Sequence, residues 1–166
     1  MNVLLVAGGD PSHWPAFSQT FDKIIGIDRG NLFLLRRGIV PDMAIGDFDS
    51  LTEDEKKEVF EAVDEVSTSP AEKDDTDTQL ALVKTFERFP EATVTLIGAT
   101  GGRLDHLLAN LWLGAEPRFS PFLSQIKIAD QGNLVSYIAP GKHCIKKVPD
   151  MDYLAFCCMT PVRELS

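Results

Sequence analysis

The feature that most constrains this chain is a set of short, continuously apolar runs, each ending on a glycine or an acid. VLLVA (residues 3–7) runs into Gly8-Gly9, KIIGID (23–28) ends on Asp28, and MAIGD (43–47) ends on Asp47. TVTLIGA (93–99) runs into Gly101-Gly102. Runs of this length without polar alternation read as strands buried on both faces. Helical segments separate them. Residues 31–38 have helical spacing stopped by Gly38 and Pro41, and Thr52 with Glu55 forms a capping box before a helix reaching about Val63. Residues 75–89 carry Leu80, Leu82, Val83 and Phe86 on one side and are closed by Pro90. A further helix covers about 104–113, and residues 63–69 form a short strand. Strand–helix alternation of this kind implies a parallel sheet with helices on both faces, whose ligands lie outside the carboxyl ends of the strands.

From about Gln125 the pattern changes. IKIAD, NLVSYIAPG, KHCIKKV and DYLAFCCM are short strand-like runs parted by turn residues, which is antiparallel patterning. The expected organisation is an α/β unit over residues 1–124 and a partial β-sandwich over 125–166. The remaining length is too short for a complete sandwich. Trp14, Trp112, Phe33 and Phe86 are expected to be packing residues, and Cys144, Cys157 and Cys158 buried strand residues. Three cysteines, two of them adjacent, make neither a disulfide framework nor a zinc spacing.

Charge narrows the function. The net charge is −9, which disfavours nucleic acid as a partner. No apolar run reaches the roughly 20 residues of a membrane span, and the start lacks the basic region of a signal peptide. A reducing cytoplasm is the expected location. Fourteen acids against three bases fall between Asp42 and Asp77, so this stretch carries more than the whole net negative charge.

Three constellations carry chemistry. Asp47-Phe48-Asp49-Ser50 follows a strand directly, and two carboxylates so placed suit a hard cation that keeps phosphate and water ligands; a capping loop with solvated acids is the plainer alternative. Lys73-Asp74-Asp75-Thr76-Asp77 precedes the longest helix. Capping and the helix dipole account for one or two of these acids, leaving Asp77 as a candidate general base. Gly98 to His106 joins a strand to a helix, with paired glycines that admit an anion to backbone N–H groups and Arg103 able to fork phosphate oxygens. It lacks the Gly-Lys-Ser/Thr of a P-loop. A tight turn with a surface Arg and a structural His106 is the alternative there. Gly8-Gly9 can line a nucleotide without completing a dinucleotide fingerprint.

GDFDS, KDDTDTQLAL and GATGGRLDHLLANL, in this order, resemble the bacterial type of thiamine pyrophosphokinase, as does the Asp28-Arg29-Gly30 element. The resemblance covers residues 1–113 well and the rest loosely. It implies a Rossmann-like α/β domain that binds ATP and Mg2+, followed by an antiparallel β-sandwich, here incomplete, that supplies much of the thiamine pocket. It implies transfer of a pyrophosphoryl group from ATP to the thiamine hydroxyl, giving thiamine diphosphate and AMP, in a homodimer. Carried onto this sequence, Asp47, Asp49 and Asp105 are the metal ligands, and Asp47, Asp49 and Asp77 act in catalysis. Gly8, Gly9, Asp28, Gly30, Lys73, Thr100, Gly101, Gly102, Arg103, Asp105 and His106 line ATP, and Asp77 with Gln79 meets thiamine. Family members run further at the carboxyl end, so thiamine binding and dimerisation are the properties most exposed to the shortened second domain. Three other readings compete: an aspartyl-phosphate phosphatase with Asp47 as nucleophile, a D-x-D sugar-nucleotide transferase, and a nucleotide-binding module without turnover.

Overall fold

The computed structural model describes residues 1–16, 20–70, 74–149 and 151–163. Six strands run parallel: β1 (Asn2–Val6), β2 (Lys23–Ile27), β3 (Met43–Gly46), β4 (Val66–Thr68), β5 (Thr93–Ile97) and β6 (Ile126–Ala129). A seventh, β7 (Leu134–Ser136), is antiparallel to β6. The sheet order is β4-β3-β2-β1-β5-β6-β7. The chain therefore starts in the middle, winds outward through β2 to β4, then crosses back over β1 to β5 and β6. The order reverses between β1 and β5, the kind of place where open α/β sheets bind ligands.

The continuous apolar runs are explained by burial on both faces. On one face Val3, Leu5, Ile25, Ile27, Val94 and Leu96 pack with Ala81, Leu82 and Phe86 of α3 (Asp77–Arg88). On the other, Leu4, Val6 and Ile97 meet Trp14 and Leu34 of α1 (Arg29–Leu35). A third cluster joins Leu32, Ala44, Phe48 and Leu51 to Val59 of α2 (Glu53–Ala62). Successive strand side chains point to opposite faces, so a strand covered on both sides must be apolar at every position. The Thr52–Glu55 capping box is present. The helix expected over residues 31–38 runs instead over Arg29–Leu35, and Gly38, at φ 72°, accommodates the left-handed turn that follows it.

The IKIA run is the sixth parallel strand, paired with β5 from Val94↔Ile126 to Leu96↔Ile128. Antiparallel character begins at the next turn, where Asp130 N–H donates to Asn133 O at 3.0 Å and β7 folds back. The runs at 142–148 and 152–159 form no strand among the described residues. Patterning reports side-chain alternation, whereas a strand also needs a hydrogen-bonded neighbour. The three cysteines are accordingly exposed rather than buried.

Helix α4 (Leu104–Trp112) buries only Asn110, which anchors it by donating to Ala99 O at 2.9 Å. Trp14 is a core residue, but Trp112 is 57% exposed. With Leu104 and Leu108 it forms an apolar stripe at helical spacing, facing outward. No helix among the described residues is long and apolar enough to cross a membrane.

Candidate functional site

The acids predicted at strand ends converge above β2 and β3. Asp28 follows β2 with φ 46°, an uncommon backbone conformation for a residue with a Cβ. Its N–H donates to Ile45 O at 2.9 Å, and its Oδ1 accepts from Phe48 N–H at 3.1 Å. Gly46, at φ 150°, lies so close that a Cβ there would run into Asp28 Oδ1. Glycine is required at this position because the carboxylate occupies the space a side chain would take.

Phe48 sets the geometry of the D-x-D loop. It takes φ 57° and is only 1% exposed, inserted in the α1–α2 cluster and edge-on to Phe60 at 5.1 Å. With the central residue pinned, Asp47 and Asp49 are held beside the strand end. Asp49 N–H donates to Asp47 Oδ1 at 3.0 Å. Arg29 braces the loop from below, donating to Ser50 O and pairing with Glu55 Oε2 at 3.4 Å.

Asp77 enters from α3. Thr76 caps that helix, with Gln79 completing a reciprocal capping box. Asp77 therefore sits in the first turn, and Ser69 Oγ donates to its Oδ1 at 3.3 Å. One carboxylate oxygen each from Asp28, Asp47 and Asp77 falls within 4.8 Å of the others. Burial, the neighbouring charge of Asp77 and then that of Asp47 push the Asp28 carboxyl up to about 7. A bond from Asp28 to Asp77 favours the same proton. Three half-buried carboxylates at this spacing repel one another unless a proton or a cation lies among them. Oxygen donors of this number suit Mg2+, which keeps sites for phosphate and water.

The trio differs from the expected metal set in two members. Asp47 is common to both. Asp49 is exposed outside the trio, although its charge reaches Arg103. Asp105 is exposed and bound by Arg103 through two bonds of 3.1 and 2.6 Å, which hold its carboxyl below the ordinary value. Gln79 spends its carbonyl on the cap, accepting from Thr76 N–H at 2.6 Å, and its amide on Glu116 at 2.6 Å. Lys73 lies outside the described residues. Gly101 and Gly102 are exposed on the β5–α4 connection, Thr100 is half-buried there, and His106 is exposed in the first turn of α4.

The glycines at the strand ends act by close approach. Gly9 N–H donates to Gly98 O at 2.8 Å, and a Cβ on Gly9 would meet that carbonyl. A Cβ on Gly30 would strike Val6 O. Gly8 packs against Arg29. Gly8 and Gly9 thus leave backbone, without side chains, at the end of β1, while Gly30 is buried against it.

Sequence reasoning missed two participants. Arg118 grips Asp75 at 2.8 and 2.9 Å, so of the acids at 74–77 Asp75 goes to this ion pair, Asp77 to the trio, and Asp74 is exposed. Forty-three positions separate the partners, and no local signal joins them. Asp130 closes β6 as Asp28 and Asp47 close their strands; the strand-end rule applied to IKIAD would have found it.

Residues 15–123 match the family model described as thiamin pyrophosphokinase, catalytic domain. A curated thiamine pyrophosphokinase of Bacillus subtilis (strain 168) is 35% identical over 160 residues, covering 93% of this chain and 72% of the relative. The crystal structure of a thiamin pyrophosphokinase family protein from Enterococcus faecalis superposes with TM-score 0.87 at 54% identity, over 90% of this chain and 71% of that one. The thiamine pyrophosphokinase structure from Bacillus subtilis gives TM-score 0.72 at 33% identity, over 90% and 70%.

Proposed function

This chain belongs to the thiamin pyrophosphokinase family, and on that premise we propose that its strand-end site moves a pyrophosphoryl group from ATP to the hydroxyl of thiamine, yielding thiamine diphosphate and AMP. The observation that carries the reading is the convergence of Asp28, Asp47 and Asp77 within 4.8 Å at the carboxyl ends of a parallel sheet. The aspartyl-phosphate, sugar-nucleotide and binding-only readings give way to the family assignment.

The chemistry asks mainly for positioning. A primary alcohol attacks the β-phosphorus of ATP, the bond to the α-phosphate oxygen breaks, and AMP leaves. Charge stays spread over phosphate oxygens, so electrostatic stabilisation and alignment dominate the catalysis. Asp28 and Asp47 would hold Mg2+, with Asp77 completing the set. The ion, when bound, screens the phosphate charge and polarises the β-phosphoryl group. Asp77, oriented by Ser69, takes the hydroxyl proton as the alcohol attacks. Asp49 and Arg103 lie within one another's field, and on this reading they face the phosphates from the opposite rim with Asp105 and His106. Thiamine approaches beside the start of α3, where Gln79 contributes by fixing the helix that presents Asp77. The α/β unit expected over residues 1–124 extends through β6 and β7 of the same sheet, so we assign residues up to Ser136 to the nucleotide-binding unit and those beyond it to the thiamine-binding one. The outward apolar stripe of α4 supports a homodimer, and the family's reaction suits the cytoplasm.

Incubation with ATP, Mg2+ and thiamine, resolved by chromatography, tests the reading. Thiamine-dependent AMP with matching thiamine diphosphate is the expected result. Production of ADP means attack at the γ-phosphate and rejects it.

A further inference from the structure

Helix α3 carries Asp77 in its first turn, and a strap outside the carboxylate trio holds that helix at both ends. The strap is the 3-10 segment Pro117–Gln125, after α4 and before β6. Its nine residues, at about 2.0 Å each, span roughly 18 Å. The twelve residues of α3, at about 1.5 Å each, also span roughly 18 Å. The two run side by side. Toward the carboxyl end of α3, Phe122 stacks on Phe86 with ring centroids 4.2 Å apart. Just beyond the helix, Gln125 Nε2 donates to Pro90 O and Ala92 O, each at 2.8 Å. Phe119 is buried in the same core as Ala81, Leu82 and Phe86. Pro117 and Pro121 restrict φ within the strap.

At the amino end the attachment is ionic. Arg118 Nη2 and Nη1 donate to the two oxygens of Asp75 at 2.8 and 2.9 Å. Its Nε donates to Glu116 Oε2 at 2.7 Å, and its guanidinium lies over the Phe119 ring at 5.0 Å. The other Glu116 oxygen accepts from Gln79 Nε2 at 2.6 Å, and Gln79 Oε1 accepts from Thr76 N–H at 2.6 Å. One guanidinium thus joins the residues on both sides of Asp77: Asp75 directly, and Gln79 through Glu116. A planar fork fixes direction as well as distance, which a point charge does not.

We propose that Arg118 is a positioning residue for the transfer reaction: through Asp75 and Glu116 it fixes the start of α3, and so the placement of the Asp77 carboxylate against the thiamine hydroxyl. The inference rests on the reading of Asp77 as the group that takes the hydroxyl proton, and it adds a residue that acts from outside the reacting groups. The Arg118 and Asp75 side chains are 38% and 34% exposed, so breaking the pair strands no buried charge and changes stability little. Alignment is the more sensitive quantity. A displacement of about 1 Å at a reacting group is enough for a rate loss on the order of 100-fold.

Steady-state kinetics of the full chain with ATP, Mg2+ and thiamine, joined to amide hydrogen exchange, test the assignment. Arg118→Ala should lower kcat by about tenfold to 100-fold, with KM for thiamine changed less than about threefold and the thermal midpoint within about 4 °C of the unmodified chain. Arg118→Lys keeps the charge and loses the fork, and should fall between the two. In an Asp77→Asn background, Arg118→Ala should cost less than about twofold more, because the group it positions is already gone. The amides of Gln79 and Leu80 bond Thr76 in the capped first turn. They should exchange about tenfold faster in Arg118→Ala, while those of β1 and β5 keep their protection. Full kcat in Arg118→Ala overturns the proposal, as does an equal loss in both backgrounds or a change confined to KM for thiamine. Unchanged exchange at the start of α3 also overturns it. If Arg118→Ala does not fold, Arg118→Lys and Asp75→Asn take its place in the same comparison, with the same directions expected. No thiamine-dependent AMP from the unmodified chain rejects the transfer reading, and the exchange at Gln79 and Leu80 then decides the brace by itself.

Discussion

Replacing Asp28 by asparagine should stabilise the metal-free protein at alkaline pH, and the structure gives the size and sign. The Asp28 carboxyl rises from 3.8 to about 7 through burial and the charges of Asp77 and Asp47. In the unfolded chain it titrates near its ordinary value. Between these two values the folded state holds a proton that the unfolded state has lost, so this group's contribution to stability falls as pH rises from about 4 to about 7. A displacement of roughly three units corresponds to about 4 kcal/mol at most; solvent access at this partly open site brings the expected loss to the order of 2–4 kcal/mol. The amide of the Asp28→Asn variant keeps an acceptor for Phe48 N–H, and asparagine tolerates the positive φ about as well, while the titration and the repulsion are removed. Urea unfolding in EDTA, at intervals from pH 5 to pH 8, reads the difference between the two proteins. The histidines and the carboxylates away from this trio are common to both and cancel. The variant should gain on the unmodified chain as pH rises and lead it by a few kcal/mol at pH 8. A difference that does not change with pH, or changes in the opposite sense, refutes the argument. Mg2+ at about 100 times its dissociation constant should return roughly 2.7 kcal/mol to the unmodified protein at pH 8, and distinctly less to Asp28→Asn.

Other perturbations test other parts of the site. Asp47→Asn should lower turnover on the order of 100-fold or more, by the usual cost of removing one electrostatic stabiliser; near-normal steady-state rates would remove Asp47 from the mechanism. Gly46→Ala places a methyl group against Asp28 Oδ1 at φ 150°, and should cost about 1–3 kcal/mol in denaturant unfolding along with most activity. An unchanged midpoint would show that the carboxylate moves freely. The double change Leu108→Ser and Trp112→Ser alters only exposed side chains, so it should convert the homodimer proposed above to monomers in sedimentation while leaving the thermal midpoint of each protomer nearly unchanged; a sedimentation profile identical to that of the unmodified chain would remove this stripe from the interface.

The legibility of this fold had a physical basis. Val3 to Val6 and Thr93 to Ile97 are apolar at nearly every position because both faces of a parallel sheet are covered, and that condition is written locally, residue by residue. The same holds for the capping boxes at Thr52 and Thr76 and for the acids ending β2 and β3, since each depends on neighbours within a few positions. The antiparallel runs beyond Ser136 were not decidable that way: alternation marks an amphipathic surface without naming the segment that pairs with it.

Sequence alone thus determined the sheet type, the end of the sheet where the acids gather, and the residue types available there. Tertiary structure decided which acids meet. Asp28, Asp47 and Asp77 come from three elements, and their approach depends on Gly46 leaving room and Phe48 being buried. Asp49 and Asp105, equally prominent in sequence, stay outside the trio, the first exposed and the second bound to Arg103. Arg118 takes Asp75, and Asp130 joins Thr100 across the β5–β6 edge. Carboxylate chemistry depends on distances of a few ångströms between residues far apart in the chain, and those distances are set only when the helices have packed on the sheet.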